Sequence, residues 1–302
     1  MLCVWVTWWF ISAVSENFSD AALVLVGHGS TLNADSAAPT YQHADELRRR
    51  KIFAQVQETF WKQEPYLAQV SRGIFAKRIF IVPLFISEGY FTEEVIPREL
   101  GFQIQNSKFK IQKFPLVEQR GEQTLFYCGP VGTHHSITNV LLARAKEVVE
   151  KFPFPRAPKP IETTLFIAGH GTSANENSRK IIEHQVELIR AMKIYADVHP
   201  VFMEEDPRIA DCYQLAQTKN VVMVPFFISD GLHSFEDIPV MLGEPKRIVE
   251  ERFKAGQPTW RNPTEKNGKH VWYSASIGNE PHIADVILER VEEAARSEHK
   301  VS

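Results

Sequence analysis

The chain has 302 residues, 44% apolar and 24% charged, the composition of a soluble globular protein about two domains long. A net charge of −3 gives no electrostatic footprint for nucleic acid, although a local basic pocket for an acidic small molecule stays open. Cys3, Cys128 and Cys212 are scattered and form no CxxC pair, which excludes a disulfide framework or iron–sulfur site and suits a reducing cytoplasm.

Residues 1–20 form an apolar N-terminal segment. The run MLCVWVTWWFISAV at 1–14 is too short to span a bilayer as a helix, so no membrane span is expected. No Lys or Arg precedes Arg48, so the basic n-region of a secretory signal is missing. Strand, interfacial segment and misassigned start codon remain as readings. From residue 21 the chain repeats itself. LVLVGHGS at 23–30 recurs as LFIAGHGT at 165–172, and VPLFISEG at 82–89 recurs as VPFFISDG at 224–231, both at an offset of 142. GTHHSITNVLL at 132–142 resembles GNEPHIADVIL at 278–288 at an offset of 146, so the second copy has gained four residues in between. FPFPRAPKP at 152–160 has four prolines and reads as an extended linker. The expected organisation is a first repeat at 21–151, the linker at 152–160 and a second repeat at 161–302.

Short apolar runs at 164–168 and 221–228 have the length and β-branched or aromatic content of buried strands. Residues 178–193 place Ile181, Ile182, Leu188 and Ile189 on one helical stripe, and 283–294 is similar. Alternating strands and helices imply βαβ units. The expected fold is α/β, with two tandem domains, each a parallel sheet with helices on both faces.

Open sheets of this kind bind ligands beyond the carboxyl ends of their strands. In the second copy His170 follows the first strand, Glu204 follows a strand expected over 196–203, and His233 follows the third. Two imidazoles and a carboxylate suit divalent cobalt, iron, nickel or zinc. The first copy has His28, Lys62 and Phe91 at the matching positions, so a single metal site belongs to the second copy. The glycines beside His170 are expected to let a flat ligand approach the backbone. Each residue alone has a plainer reading: His170 as a turn histidine, Glu204 as part of an acidic turn with Glu205 and Asp206, and His233 as a cap on a helix starting near Ile238.

These motifs resemble the class II tetrapyrrole chelatases, specifically sirohydrochlorin chelatases of the CbiX/SirB type. The matching pieces are Gly-His-Gly-[Ser/Thr], the Val-Pro-[Leu/Phe]-Phe-Ile-Ser-x-Gly block, Gly231-x-His233-x-x-x-Asp237-Ile238-Pro239 and Gly-Thr-His-x-Ser from Gly132. They cover nearly the whole chain after about residue 20. The resemblance implies two chelatase-type domains facing across a cleft, and insertion of divalent cobalt or iron into sirohydrochlorin or a related tetrapyrrole in cobalamin or sirohaem synthesis. It carries the family's metal-site histidines onto His170 and His233, and an acidic residue onto Glu204. In fused two-domain members the ligand pair commonly lies in the first half. A second-half pair is therefore a departure, open to a different tetrapyrrole or metal.

On this reading His170 and His233 hold the ion and accept pyrrole protons, with Glu204 as ligand or base. Neutral imidazoles suit both roles. The metal (Co²⁺, Fe²⁺ or Ni²⁺) is substrate and no permanent cofactor is expected. Substrate contacts are expected from Gly171, Thr172, Ser229, Gly231 and Leu232, with His28 reaching in from the first copy. Phe227 and Phe235 are expected to press on the ring with Leu232. Arg179, Lys180 and Arg208 are candidates to meet substrate carboxylates, though each reads more simply as surface charge, as does the run from Arg48 to Lys51. The expected state is a monomer or homodimer. Two rivals are a non-catalytic metal or tetrapyrrole carrier, and a phosphate-transferring enzyme with a nucleophilic His170. The second needs an arginine cluster that the sequence does not show.

Overall fold

The computed structural model describes residues 16–31, 33–103, 113–171 and 176–298. Thr172 and residues 1–15 of the apolar segment lie outside them. The first half runs β1 (Ala21–Gly27), α1 (Ala38–Arg50), β2 (Gln55–Phe60), β3 (Arg78–Pro83), a π turn (Phe91–Val95) leading into α2 (Ile96–Glu99), β4 (Leu116–Arg120), β5 (Gln123–Tyr127) and α3 (Ile137–Lys151). The second runs β6 (Thr163–Gly169), α4 (Glu176–Met192), β7 (Asp197–Phe202), α5 (Cys212–Leu215), β8 (Asn220–Pro225), a π turn (His233–Asp237) leading into α6 (Ile238–Met241), α7 (Lys246–Lys254), β9 (Thr264–Lys266), β10 (Lys269–Tyr273) and α8 (Ile283–Glu298). No helix among the described residues is long and apolar enough to cross a membrane.

Two five-stranded sheets result, ordered β2-β1-β3-β5-β4 and β7-β6-β8-β10-β9. The sequence offset reappears as strand register. Ala22 pairs with Gln55 and Thr164 with Asp197, while Ala21 pairs with Arg78 and Thr163 with Asn220. Four strands of each sheet are parallel. The fifth is an antiparallel edge added to the parallel sheet expected from the βαβ units. Its cause is local: two residues separate β4 from β5 and β9 from β10, and a link that short can only reverse the chain. In the second hairpin they are Asn267 and Gly268, both at positive φ, the pair that a tight hairpin turn favours.

The period-2 alternation of the strands divides the core. Leu23 and Leu25 of β1 and Leu165 and Ile167 of β6 face one continuous apolar cluster shared by both halves. Ala22, Val24 and Val26 face a cluster private to the first half, and Phe166 and Ala168 one private to the second. The shared layer is filled from α1, α3, α4 and α8. The α4 stripe is centred on Ile182, Val186 and Ile189, whereas Ile181 and Leu188, expected at its centre, flank it half-buried.

The closing helices are exchanged. α3, from the first half, packs on β8 and β10 of the second sheet, and α8 packs on β3 and β5 of the first. Arg144 of α3 donates to Ser276 O and Asn279 Oδ1 beyond β10, and Arg290 of α8 donates to Pro130 O and Thr133 Oγ1 beyond β5. Repeat boundaries in sequence therefore do not coincide with the layers that bury each sheet.

Candidate functional site

The parallel strands of the second sheet deliver three loops to one edge. His170 leaves β6, and the N–H groups of Met203 and Glu204 beyond β7 both donate to His170 O at 3.0 Å, which ties the first two loops together. His233 opens the π turn beyond β8, whose closing bond runs from Ile238 N–H to His233 O. The helix thus begins a turn earlier than expected near Ile238. π turns of this kind recur at functional sites because they re-aim one side chain without ending the helix.

His170 stands beside both His233 and Glu204. The two imidazole centroids are 5.1 Å apart with ring planes at 80°, and His170 Nδ1 lies 3.8 Å from Glu204 Oε2. That Nδ1 is buried and makes no hydrogen bond, so a lone pair or proton there is uncommitted. His233 Nδ1 donates to Asp237 Oδ2 at 2.7 Å, which fixes the ring and leaves Nε2 with its lone pair. The three side chains are between a third and three-fifths exposed, although His170 Nδ1 itself is buried.

A cleft of about 450 Å³ opens beside His170. One wall is the first half, from Gly27 and His28 and from Leu84 to Thr92; the facing wall is His170 with Phe227, Ile228 and Ser229. Asn177 of α4 donates to Glu88 O at 3.3 Å and bridges the two walls. Of the expected substrate contacts, His28 and Ser229 line this cleft. Leu232 stands largely exposed, and Gly231 faces Asn33 of the first half, with room for a Cβ. Phe235 turns away and packs on Phe253 of α7, so it is no part of the cleft, contrary to expectation.

The glycines beside His170 are also required by the packing of the protein itself. Gly171 has φ +63°, and a Cβ there would lie 2.7 Å from Phe202 Cβ; at Gly169 it would overlap Ile182.

In the first half, the equivalent of the ligand cluster is aromatic. His28 lies 5.4 Å from Trp61 and 5.8 Å from Phe91, and Trp61 lies 4.7 Å from Phe91. Lys62, in the position of Glu204, holds its ammonium 4.6 Å from the Trp61 ring centre. Glu88 lines this wall, and beyond it burial, together with Glu88 and Glu94, raises the Glu93 carboxyl above its ordinary value. Arg179 bonds Glu183 and Glu205, Lys180 bonds Glu176, and Arg208 pairs with Asp206 and Met203 O. All three basic candidates are thus held by the protein itself.

Asp237, Trp61 and Phe85 have no role in the sequence-based reading. The four-residue spacing of His233 and Asp237 was the available signal for the first. Trp61 and Phe85 had none, because they come from separate connections, one after β2 and one after β3.

Two matched, mostly parallel sheets that share a cleft lined by His28 and His170 are the architecture of a chelatase-type protein. The sequence matches the CbiX family twice, over residues 22–148 and 164–294, and the chain belongs to that family. It is 41% identical over 279 residues to the probable sirohydrochlorin cobaltochelatase of Halobacterium salinarum, covering 90% of this chain and 91% of that one. The sirohydrochlorin cobaltochelatase of Methanopyrus kandleri is 29% identical over 142 residues, 44% of this chain and 98% of its own length. Among solved structures, a multi-domain protein of Deinococcus radiodurans with structural similarity to chelatases superposes with a TM-score of 0.74 at 27% identity. That match covers 92% of this chain and 56% of that protein, which has two additional domains. SirB from Bacillus subtilis, solved with Fe³⁺, has a TM-score of 0.62 at 19% identity over 92% of this chain and 97% of its own, and shares the fold.

Proposed function

We propose that this protein is a metal chelatase that inserts divalent cobalt into sirohydrochlorin or a close tetrapyrrole relative. The observation that carries the reading is the 5.1 Å approach of the His170 and His233 rings, with Glu204 near His170, beside a cleft whose far wall is aromatic. The ion is substrate: it arrives, is held by few ligands, and leaves in the product. Three donors plus water suit that better than a closed four-residue cage.

The chemistry requires two pyrrole N–H protons to leave as one divalent ion enters. His170 and His233 each bind the ion or take a proton, and Glu204, 3.8 Å from His170, receives a proton or completes the ligand set. Phe227 and the first-half wall of Phe85 and Phe91 hold the macrocycle by apolar contact. Lys62, whose ammonium lies over Trp61 rather than on a carboxylate, is the cation placed to meet a substrate carboxylate. One chain supplies both walls, so a monomer suffices. The cytoplasm is the proposed compartment: Cys128 and Cys212 are buried free thiols, each pushed up to about 12 by burial.

The test is anaerobic absorbance of the protein with sirohydrochlorin and Co²⁺. Wild type converts the spectrum faster than the control without protein. His233→Ala loses about 10²–10⁴-fold of that rate, while His28→Ala keeps most of it. Tetrapyrrole binding without acceleration would replace this reading with that of a carrier.

A further inference from the structure

A second cluster of donors lies outside the cleft, where the exchanged helix α8 meets the loop leading into α3. One donor atom from each of His134, His135 and Glu293 lies within 4.8 Å of the others. A divalent ion with bonds of ~2.0–2.2 Å holds adjacent donors roughly 3.0–3.4 Å apart. His134 Nε2 and Glu293 Oε1 are 3.1 Å apart, and the His134 and His135 ring centres 4.2 Å. His134 is buried and His135 exposed, so the pair reaches from the packed seam to solvent.

An independent observation concerns the other face of His134. Its Nδ1 accepts from Ser136 N–H at 3.2 Å and also lies 3.2 Å from Glu289 Oε2. That oxygen is buried and has no hydrogen-bond partner. With Nε2 on a metal, the ring proton moves to Nδ1, which gives up the Ser136 N–H bond and donates instead to Glu289, supplying that oxygen's missing partner. A metal-bound histidine backed by a carboxylate is the common second layer of such sites. Arg290 takes Glu293 Oε2 at 2.8 Å and leaves Oε1 for the ion. Glu289 and Glu293 against one arginine leave net negative charge.

The cluster is particular to this seam. At the 146 offset, His134 and His135 correspond to Glu280 and Pro281, and Glu289 to Ala143. We propose that His134, His135 and Glu293, backed by Glu289, form a binding site for a divalent first-row ion such as Co²⁺, Ni²⁺ or Zn²⁺, which clasps α8 to the first half. The site stands apart from the chelating cluster, and the proposal does not rest on the chelatase reading.

The test uses tag-free full-length protein carrying His170→Ala and His233→Ala, with Co²⁺ alone as probe. One equivalent of Co²⁺ remains bound in equilibrium dialysis, shows ligand-field absorption, and raises the melting temperature in a concentration-dependent way. Adding His135→Ala, at an exposed position that does not endanger folding, abolishes all three signals. Adding Glu289→Gln instead weakens binding by about 10–100-fold. Absence of bound Co²⁺ in the double variant, or binding indifferent to His135→Ala, overturns the proposal and leaves His134 as an imidazole paired to two carboxylates.

Discussion

His233 owes its orientation to a neighbour four residues on. Asp237 holds Nδ1–H at 2.7 Å, so rotation of the ring costs a charge-assisted bond and Nε2 keeps one direction. Asp237→Ala is expected to lower metal-insertion rate by about 10–100-fold, the usual effect of removing such a partner. The melting temperature should barely move, because a half-exposed pair contributes only ~0–1 kcal/mol. Initial rates beside a thermal melt check this; a loss of stability equal to the loss of rate would make Asp237 merely structural. The placement of His170, Glu204 and His233 along one sheet edge was legible because each follows a strand end, and strand ends share an edge. Asp237 was not, because a helix starting near Ile238 would leave His233 outside the turn that pairs them. The losses at Lys62 and Phe91 were equally legible from the offset, but not that Trp61 closes over the vacated place.

Elements meet across the seam through buried polar groups, and the repeat offers two versions of one contact. On α1, His43 is 1% exposed and its Nε2 donates to Gly278 O at 2.6 Å. Its counterpart on α4 is Gln185, which accepts from Thr138 Oγ1 of α3 at 2.6 Å. Burial lowers the pKa of His43 below its ordinary 6.5; the Gly278 bond and Glu46 act the other way, and Arg144 and Arg50 add to the lowering. The unfolded chain therefore binds the proton first. This contribution to stability is whole above about 6.5 and is lost as pH falls toward the lowered folded value. His282 has the opposite sign: Glu280 raises it above 6.5, so its contribution is present below 6.5 and fades as pH rises through the folded value. His43→Gln keeps a donor for Gly278 O and removes the titration. Its denaturant midpoint should fall less between pH 7 and pH 5 than that of wild type. An unchanged pH slope would show that His43 does not carry the acid sensitivity. Helix and strand positions on both sides of this contact were readable from periodicity. The contact was not, since His43 and Gly278 are 235 residues apart.

At the scale of the molecule, duplication was the most legible feature and helix exchange the least. An offset in sequence shows that two units match, yet says nothing about which unit's sheet each closing helix covers. Here α3 lies on β8 and α8 on β3, so each sheet buries one face only because the other half lends a helix. Val140, Leu141 and Ala145 of α3 correspond at the 146 offset to Val286, Ile287 and Val291 of α8, and all six are buried in the shared layer. Residues 161–302 alone would lack α3, leaving Val222 and Val224 of β8 uncovered, and would carry an α8 with no sheet beneath it. Two such fragments can satisfy one another, each α8 taking the place of α3 on the other's β8. The fragment is therefore expected as a homodimer by sedimentation or light scattering, and the full chain as a monomer. Ile287→Asp, which places an unpaired charge in the shared layer, should dissociate or unfold the fragment dimer. A well-folded, monomeric 161–302 would mean that α8 can fold back on its own sheet, and that the exchange depends on the fusion rather than on the surfaces.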